Sequence, residues 1–322
     1  MSNLKDKLFV QVFEPKTVEG MILPDRIKSL FKEGLVNGHY LFHGGAGIGK
    51  STLSKILCKN HPYLYINASI DGKIDVLREK IEDFCVESQI TDHDVNRKKV
   101  VWFDELDGVS QAFFDGLRGF IDLYQDNVRF IGTCNHFNKI PEPIKSRLQC
   151  INFNFESTDE ERQIYEKYKT RFGKIIAGLK MNLATPDVLD VLCKNNFPDY
   201  RGILQTLQSL KKAEVTELTI DLIMAKQYEM IELYKLIISG KGKPEDIHKI
   251  LMGDYATKAA DVLKSLDKPF IDWIIGNSIQ HTFLIPHIVI LTAKYSQMAY
   301  NIDNALAMKA CVFELMEIVK TK

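Results

Sequence analysis

The chain has 322 residues, 45% of them hydrophobic, with 42 basic and 42 acidic side chains. The balanced charge excludes a protein-wide basic field for nucleic acid, although a local basic surface would be averaged out. The length exceeds what one hydrophobic core usually serves, so we expect two or three domains. The N-terminus lacks the apolar core of a signal peptide, and the apolar run 283–292 is too short to span a bilayer, so we expect a cytoplasmic protein with no membrane partner.

The six cysteines are scattered along the chain and form no C-x-x-C pair. This spacing argues against a zinc module and against a disulfide framework. We expect the cysteines to be small buried hydrophobes in a reducing compartment.

Residues 1–38 form an apolar preface. The segment Val10–Phe13 precedes Pro15 and is predicted to be extended, and a helix is predicted from about Asp25 to Glu33. Such a preface either covers a purine ring or packs as ordinary core, and the residues alone leave both interpretations open.

The stretch from His39 to Leu53 predicts a short strand, a glycine-rich loop and the start of a helix. Gly44, Gly49, Lys50 and Ser51 fit the G-x-x-x-x-G-K-[ST] spacing of a phosphate-binding loop. Glycines let backbone N–H groups approach phosphate oxygens, and the helix N-terminus adds a positive field. Lys50 would reach the β- and γ-phosphates, and the Ser51 hydroxyl would bind Mg²⁺. We expect the loop to contact the nucleotide through Gly45, Ala46, Gly47, Ile48, Gly49, Lys50, Ser51 and Thr52.

Five short apolar runs alternate with amphipathic segments in the first half of the chain. They are Tyr40–His43, Tyr63–Asn67, Val100–Phe103, Val128–Gly132 and Cys150–Phe153. Short β-rich runs separated by helical patterns predict an α/β fold with a parallel sheet covered on both faces. In such sheets a nucleotide lies at the carboxyl ends of the strands.

Polar side chains follow these predicted strands. Asp104 and Glu105 end an apolar strand, as in the Walker B arrangement, where Asp104 would hold Mg²⁺ and Glu105 would polarise the attacking water. Asn135 ends the fourth strand and would lie between the two Walker elements, or it is only a turn-forming residue. For Arg147, spacing alone predicts nothing beyond a surface arginine.

Taken together, the order of these motifs resembles an AAA+ ATPase, and most closely the subunits of sliding-clamp loaders of the replication factor C type, including the phage large subunit. Gly44–Thr52 resembles Walker A, Phe103–Asp107 Walker B and Thr133–Asn135 sensor 1. Pro143–Arg147 resembles the arginine-finger segment, and Phe197–Arg201 the lid segment that carries sensor 2. The resemblance covers roughly residues 10–210.

The resemblance implies roles for the arginines and for the preface. Arg147 would act in trans on the γ-phosphate of a neighbouring subunit, and Arg201 would contact the γ-phosphate in cis. Asn135 would contact the water or the γ-phosphate. The adenine pocket would be lined by Val10, Gln11, Val12, Phe13 and Ile22.

The resemblance also implies contacts to macromolecules. Lys73 and Arg78 fall where the family follows the DNA backbone, although ordinary solvated charges would give the same sequence. Phe84 and Ile90 fall where the family docks on the clamp, although core packing of an amphipathic helix explains them equally well.

Two positions depart from the family pattern. Leu148 replaces the cysteine that usually follows the finger arginine, which leaves Arg147 itself intact. The preface has Glu14 where the family has an arginine, which argues against an arginine contact to nucleotide or DNA at that point.

The second half of the chain is predicted to be helical. The Ser157–Glu160 capping box opens a long helix, further helices are predicted from Thr185 and over about 203–213, and none of these segments resembles a strand. Residues 305, 308, 312, 315, 316 and 319 are apolar and share one helix face. We therefore expect an ATPase domain over 1–156, a helical lid over 157–227 and a C-terminal helical domain over 228–322. The last resembles the family's oligomeric collar, although an ordinary all-α core predicts the same sequence.

The function predicted from the resemblance is that of an ATPase subunit of a clamp loader, which uses ATP and Mg²⁺. Its partners would be the other subunits of a ring-like oligomer, a sliding clamp and primer–template DNA, in the host cytoplasm if the source is viral. One alternative is another DNA-associated AAA+ motor, of the helicase or translocase type. A second is an ATP-binding scaffold without turnover, against which the Asp104–Glu105 pair argues.

Overall fold

A computed structural model describes residues 7–35, 38–68, 79–86, 98–253, 255–301 and 303–321. The chain divides into two compact units, Met1–Ile220 and Asp221–Lys322. The predicted boundaries near residues 157 and 228 stay predictions, since the first unit contains both the sheet and the helices that follow it.

The first unit is built on a parallel sheet, as predicted. Within the described residues, five strands run in the order β2-β3-β4-β1-β5. Their bounds are Tyr40–His43 (β1), Tyr63–Asn67 (β2), Lys99–Asp104 (β3), Val128–Cys134 (β4) and Gln149–Asn152 (β5). Since β4 lies between β3 and β1, the ends of these three strands meet at one edge, and the P-loop α/β fold is confirmed.

Two apolar layers cover the faces of this sheet. Successive residues of a strand point to opposite faces, so Leu41 packs into one cluster with Val101 and Phe130, while Phe42 packs into another with Val100. The covering helices are Asp25–Leu30 (α2), Lys50–Cys58 (α3), the helical residues 79–86 (α4), Gln111–Tyr124 (α5) and Glu142–Lys145 (α6). Leu41 and Phe42 are both fully buried, which accounts for the apolar run through the middle of β1.

The expectation of an extended preface is wrong over its first residues. Phe9–Val12 form a helical turn (α1), because Phe13 N–H donates to the carbonyl of Phe9 at 2.9 Å. The Gln208 side chain accepts from Phe9 N–H at 3.1 Å and fixes the start of that turn. This contact joins residues 199 positions apart, so local sequence does not reveal it.

Three helices and a short strand pair complete the first unit. The helices are Thr158–Gly178 (α7), Asp187–Asn196 (α8) and Tyr200–Lys212 (α9). The predicted capping box is present, since Ser157 Oγ accepts from Glu160 N–H at 3.1 Å and the Glu160 carboxylate accepts from Glu156 N–H at 2.8 Å. A two-stranded parallel pair, Asn182–Leu183 (β6) and Glu217–Leu218 (β7), was not predicted because each strand has only two residues.

The second unit is helical in the part that the structure describes. Its helices are Ile220–Ser239 (α10), which begins at the boundary, Pro244–Gly253 (α11), Ala259–Ser265 (α12), Lys268–Asn277 (α13), Ile285–Asn301 (α14) and Asn304–Lys320 (α15). The predicted apolar face of α15 is confirmed at Met308, Val312, Leu315 and Met316, all of which are buried. Over the described ranges of both units, no helix has the length and apolarity needed to cross a membrane.

The cysteines mostly follow their prediction. Cys58, Cys85, Cys134, Cys193 and Cys311 are buried thiols, whereas Cys150 is exposed on β5. Burial raises the pKa of Cys85 to about 11 and the pKa of the other four to about 12. These five thiols are therefore protonated near neutral pH and serve as small apolar core residues.

Candidate nucleotide-binding site

The phosphate-binding loop, Gly44–Ser51, joins the end of β1 to the start of α3. Gly44, Gly47 and Gly49 have φ values of 141°, 74° and 100°, which L side chains rarely adopt. Lys50 is only 7% exposed, and its Nζ donates to the carbonyl oxygens of Gly44 at 2.9 Å and Gly45 at 2.6 Å. The loop thus wraps around the ammonium group of its own lysine.

The loop is also held from outside by two other segments. Asn154, just beyond β5, accepts from Gly45 N–H at 3.0 Å through Oδ1. From the other side, Tyr200 N–H donates to the Gly47 carbonyl at 3.1 Å. A Cβ at position 47 would lie 1.8 Å from Oδ1 of Asp199, so only glycine fits there. The first turn of α9 therefore rests directly on the loop.

The two predicted carboxylates lie at the end of β3, beside Ser51. Ser51 Oγ donates to Asp104 Oδ1 at 2.8 Å, and the Thr133 hydroxyl donates to the same oxygen. Thr133 Oγ1 in turn accepts from Glu105 N–H at 3.2 Å. Glu105 has left-handed backbone angles, φ 59° and ψ 46°, which are uncommon for a residue with a Cβ. Thr133 therefore fixes both the Asp104 carboxylate and the backbone turn that carries Glu105.

Asn135 lies between the two Walker elements, as the strand order requires. Its Oδ1 accepts from Lys50 Nζ at 2.8 Å. The Asp107 carboxylate accepts from the backbone N–H groups of Asn135 at 3.2 Å and His136 at 2.9 Å, which fixes the turn after β4. The Asn135 amide is thereby aimed at the phosphate-binding loop.

The electrostatics of Lys50 favour an anion at this position. Burial lowers the pKa of the Lys50 ammonium from its ordinary value, and Cys134, Asp107 and Asp104 oppose that shift. Desolvation thus destabilises the charged form of Lys50, and neighbouring dipoles and carboxylates offset this effect only in part. A polyphosphate placed at the loop would supply the missing negative charge.

A cleft opens above the loop, and the residues from Ala46 to Thr52 line its floor. Asp104, Glu105, Asn135 and Arg201 also line it. At its apolar end, Val10, Phe13 and Ile22 are present as predicted. Gln11 and Val12 are not part of the lining, because the helical turn of α1 directs only some of its residues to the cleft. Gly45 is not part of the lining either, and its carbonyl oxygen accepts from Lys50 Nζ.

The helices after the sheet close the apolar end of the cleft. Arg171, on α7, donates to the carbonyls of Gly20 at 2.7 Å and Phe13 at 3.0 Å. Tyr200 Oη donates to the Ile22 carbonyl at 3.0 Å. Phe172, Ile175 and Leu204 complete the apolar wall. The preface and the helical segment thus form one pocket that suits a flat, largely apolar ring.

Arg147 does not line this cleft. Its guanidinium forms a two-point ion pair with Asp122 on α5, at 2.6 Å and 2.9 Å. The pair is partly solvent-exposed, with 31% of the Arg147 side chain accessible. Arg147 is thus placed outside the cleft of its own chain, whereas Arg201 lines that cleft.

The predicted macromolecular contacts are only partly described. Lys73, Arg78 and Ile90 lie outside the described residues. Phe84 is partly buried against the sheet core, and Lys99 Nζ lies 4.4 Å from the centroid of its ring. Phe84 therefore contributes to core packing, which was the alternative interpretation of this residue.

Several residues that build the site were not predicted. Thr133 was part of the sensor 1 match, but its bridge between Asp104 and Glu105 depends on the pairing of β3 with β4. The roles of Asp107, Arg171 and Asp122 have no local signal, because each depends on a tertiary contact at least 25 residues away.

The donor set at the loop fits a divalent cation beside a polyphosphate. The Ser51 hydroxyl and the Asp104 carboxylate share a hydrogen bond, so their oxygens already converge on one point. Hard oxygen donors of this kind suit Mg²⁺. Ser51 and Asp104 are therefore the residues that would hold the cation.

Comparisons with known proteins agree with this geometry. The family model for the ATPase family associated with various cellular activities (AAA) matches residues 40–155. The sliding-clamp-loader large subunit of Enterobacteria phage T4 is 29% identical over 223 residues, covering 67% of this chain and 68% of that protein. The corresponding subunit of Escherichia phage RB69 is 28% identical with the same coverage. The replication factor C small subunit of Saccharolobus solfataricus is 28% identical over 284 residues, covering 83% and 82%.

Replacing Gly47 with alanine is expected to strain the loop and push α9 away from it. The new Cβ would meet Asp199 Oδ1 at 1.8 Å in a backbone conformation with positive φ, so we expect a loss of about 1–3 kcal/mol in unfolding free energy. Urea unfolding without nucleotide measures the loss. Gly45→Ala is the matched control, since its Cβ would meet nothing nearer than 3.9 Å. Equal stability of the two variants would contradict the contact between α9 and the loop.

Proposed function

We propose that this chain is an ATPase subunit of a DNA sliding-clamp loader, since residues 40–155 match the family model for AAA ATPases. The observation that carries the proposal is a pair of hydrogen bonds at the carboxyl edge of the sheet. Lys50 donates to Asn135 and the neighbouring Ser51 donates to Asp104. A clamp loader is proposed in particular because the relatives are named as clamp-loader and replication factor C subunits.

The cleft would bind ATP with its base under the preface and its phosphates on the loop. The Lys50 ammonium would exchange the carbonyls of Gly44 and Gly45 for the β- and γ-phosphates. The N–H groups of residues 46–52 and the N-terminus of α3 would surround the same oxygens. The nucleotide would thus supply the negative charge that the buried ammonium lacks.

The polar residues of β3 and β4 would prepare hydrolysis. Mg²⁺, held by Ser51 and Asp104, would neutralise charge on the phosphate oxygens when bound. Glu105 would polarise the attacking water, and Thr133 holds its backbone in place through a hydrogen bond. Asn135 would bind the water or the γ-phosphate, and Arg201, which lines the cleft, would contact the γ-phosphate from its own chain.

The placement of Arg147 supports a site shared between subunits. Since this arginine is ion-paired outside its own cleft, it would reach the nucleotide of a neighbouring subunit. A guanidinium supplied in this way stabilises the charge of the transition state. The proposed assembly is therefore a ring-like oligomer in which each shared site takes residues from two chains.

The proposed partners are the other clamp-loader subunits, a sliding clamp and primer–template DNA. ATP binding would close the ring of subunits around the DNA and hold the clamp open. Hydrolysis, triggered by DNA, would release both. Lys73 and Arg78 remain the candidate contacts to DNA, and Ile90 the candidate contact to the clamp, that the family resemblance implies.

The ATPase rate of the assembled complex is expected to rise when primed DNA and the sliding clamp from the same source are added together. A loader couples turnover to both ligands, so each one alone should stimulate less. Steady-state phosphate release measures the rate, with blunt duplex DNA as the control. Stimulation by DNA without any effect of the clamp, accompanied by strand unwinding, would indicate the helicase or translocase alternative.

Replacing Glu105 with glutamine is expected to lower turnover by about 10²–10⁴-fold while ATP binding persists. The amide keeps the size of the side chain but cannot act as a base. Single-turnover hydrolysis gives the rate, and ATP-dependent thermal stabilisation, about 2.7 kcal/mol at 100 times the dissociation constant, reports binding. An unchanged rate would remove Glu105 from the proposed chemistry.

Replacing Arg147 with alanine is expected to lower the ATPase rate of the assembled complex by about 10³–10⁵-fold at the affected sites. The isolated chain should bind ATP as tightly as the wild type, because Arg147 is outside its own cleft. Equilibrium titration with a fluorescent ATP analogue measures that affinity. Weaker binding by the isolated variant would show that Arg147 acts in cis.

A further inference from the structure

The guanidinium of Arg147 is held by two different elements of the fold. Its Nε–H and one N–H of its Nη2 group donate to the two oxygens of Asp122, at 2.6 Å and 2.9 Å. One N–H of its Nη1 group donates to the Pro143 carbonyl at 2.8 Å. The side chain is therefore fixed both to α5 and to the turn of α6 that precedes it.

The remaining hydrogen-bonding capacity of this group follows from its stereochemistry. A guanidinium has five N–H donors. Within the described part of the chain, three of the donors of Arg147 are used, which leaves one on Nη1 and one on Nη2. The Asp122 pair occupies the side edge of the planar group, so a donor remains on each terminal nitrogen. Such a pair matches two oxygens of a phosphoryl group.

We propose that Asp122 is a positioning residue for Arg147: it holds the side edge of the guanidinium so that the two free terminal N–H groups face a phosphoryl group of the adjacent subunit's nucleotide. This inference rests on the proposed function, in which Arg147 acts in trans. It assigns a role in the reaction to a residue of α5 that touches neither nucleotide nor reacting atoms.

The backbone on both sides of the pair is firmly anchored. Ile121, next to Asp122, is 2% exposed, and Leu148, next to Arg147, is 6% exposed. The direction of the guanidinium is therefore set by the ion pair together with the hydrogen bond to the Pro143 carbonyl. Exposed ion pairs add little to folding stability. The main effect of this pair is therefore to orient the Arg147 guanidinium, and its removal should leave the fold intact.

An opposite role for the same contact makes a different prediction. If Asp122 instead sequestered Arg147 and kept it from the neighbouring site, removal of the carboxylate would raise the ATPase rate. In the positioning role, removal lowers the rate. The sign of the change therefore separates the two mechanisms.

The test uses the assembled complex with primed DNA and clamp, and compares Asp122→Asn, Arg147→Ala and the double variant. The amide of Asn cannot accept both guanidinium hydrogen bonds, so we expect kcat to fall about 10- to 100-fold with KM for ATP unchanged. The double variant should be no slower than Arg147→Ala alone, because Asp122 acts only through Arg147. Asp122→Glu, which retains the carboxylate, should recover part of the rate.

Asp115→Asn is the matched control, since Asp115 is an exposed carboxylate on the same helix and accepts only from the Gln111 side chain within the described residues. It should leave kcat unchanged. A normal rate for Asp122→Asn together with a large loss for Arg147→Ala would overturn the positioning role alone. A normal rate for Arg147→Ala would overturn the trans role on which it rests. A raised rate, or an equal loss for Asp115→Asn, would also contradict the proposal.

Discussion

The site depends on one constraint, the burial of a positive charge. The Lys50 ammonium is almost fully enclosed, so it needs acceptors on every accessible side. Two loop carbonyls and the Asn135 amide supply them. This requirement explains why β4 must lie beside β1 and why the turn after β4 is fixed by Asp107. In the proposed nucleotide complex, phosphate oxygens would replace acceptors that the fold itself provides.

Much of the fold could be predicted because it follows from local patterns. Short apolar runs predicted five strands, and the glycine spacing predicted the loop, since each signal is contained in fewer than ten residues. The strand order was not predicted, because it depends on pairing between strands that are distant in the sequence. The α1 turn was missed because its cap is Gln208, far along the chain. The hydrogen bonds of Thr133 to Glu105 and of Arg171 to the preface were also missed, because their partners are far away in the sequence.

The polar residues fall into two groups with different physical surroundings. Lys50 is hydrogen-bonded to Asn135, and Asp104 accepts from Ser51 and Thr133, at the carboxyl edge of the sheet. Arg147 and Asp122 form a partly solvent-exposed ion pair, so water competes for the same hydrogen bonds. The first group belongs to the chain's own cleft, and the second is available to another molecule. In the proposed assembly, a single fold would therefore carry parts of two separate reaction centres.

The distribution of thiols has a practical consequence for following assembly. Five of the six cysteines are buried and protonated, while Cys150 is exposed. Cys150 is therefore the thiol that a maleimide dye can reach in the folded chain, and its labelling should be slow near neutral pH because burial also raises its pKa. Cys150 is three residues from Arg147. A fluorophore there would sense the approach of a second subunit and give a spectroscopic signal for ring closure, independent of nucleotide turnover.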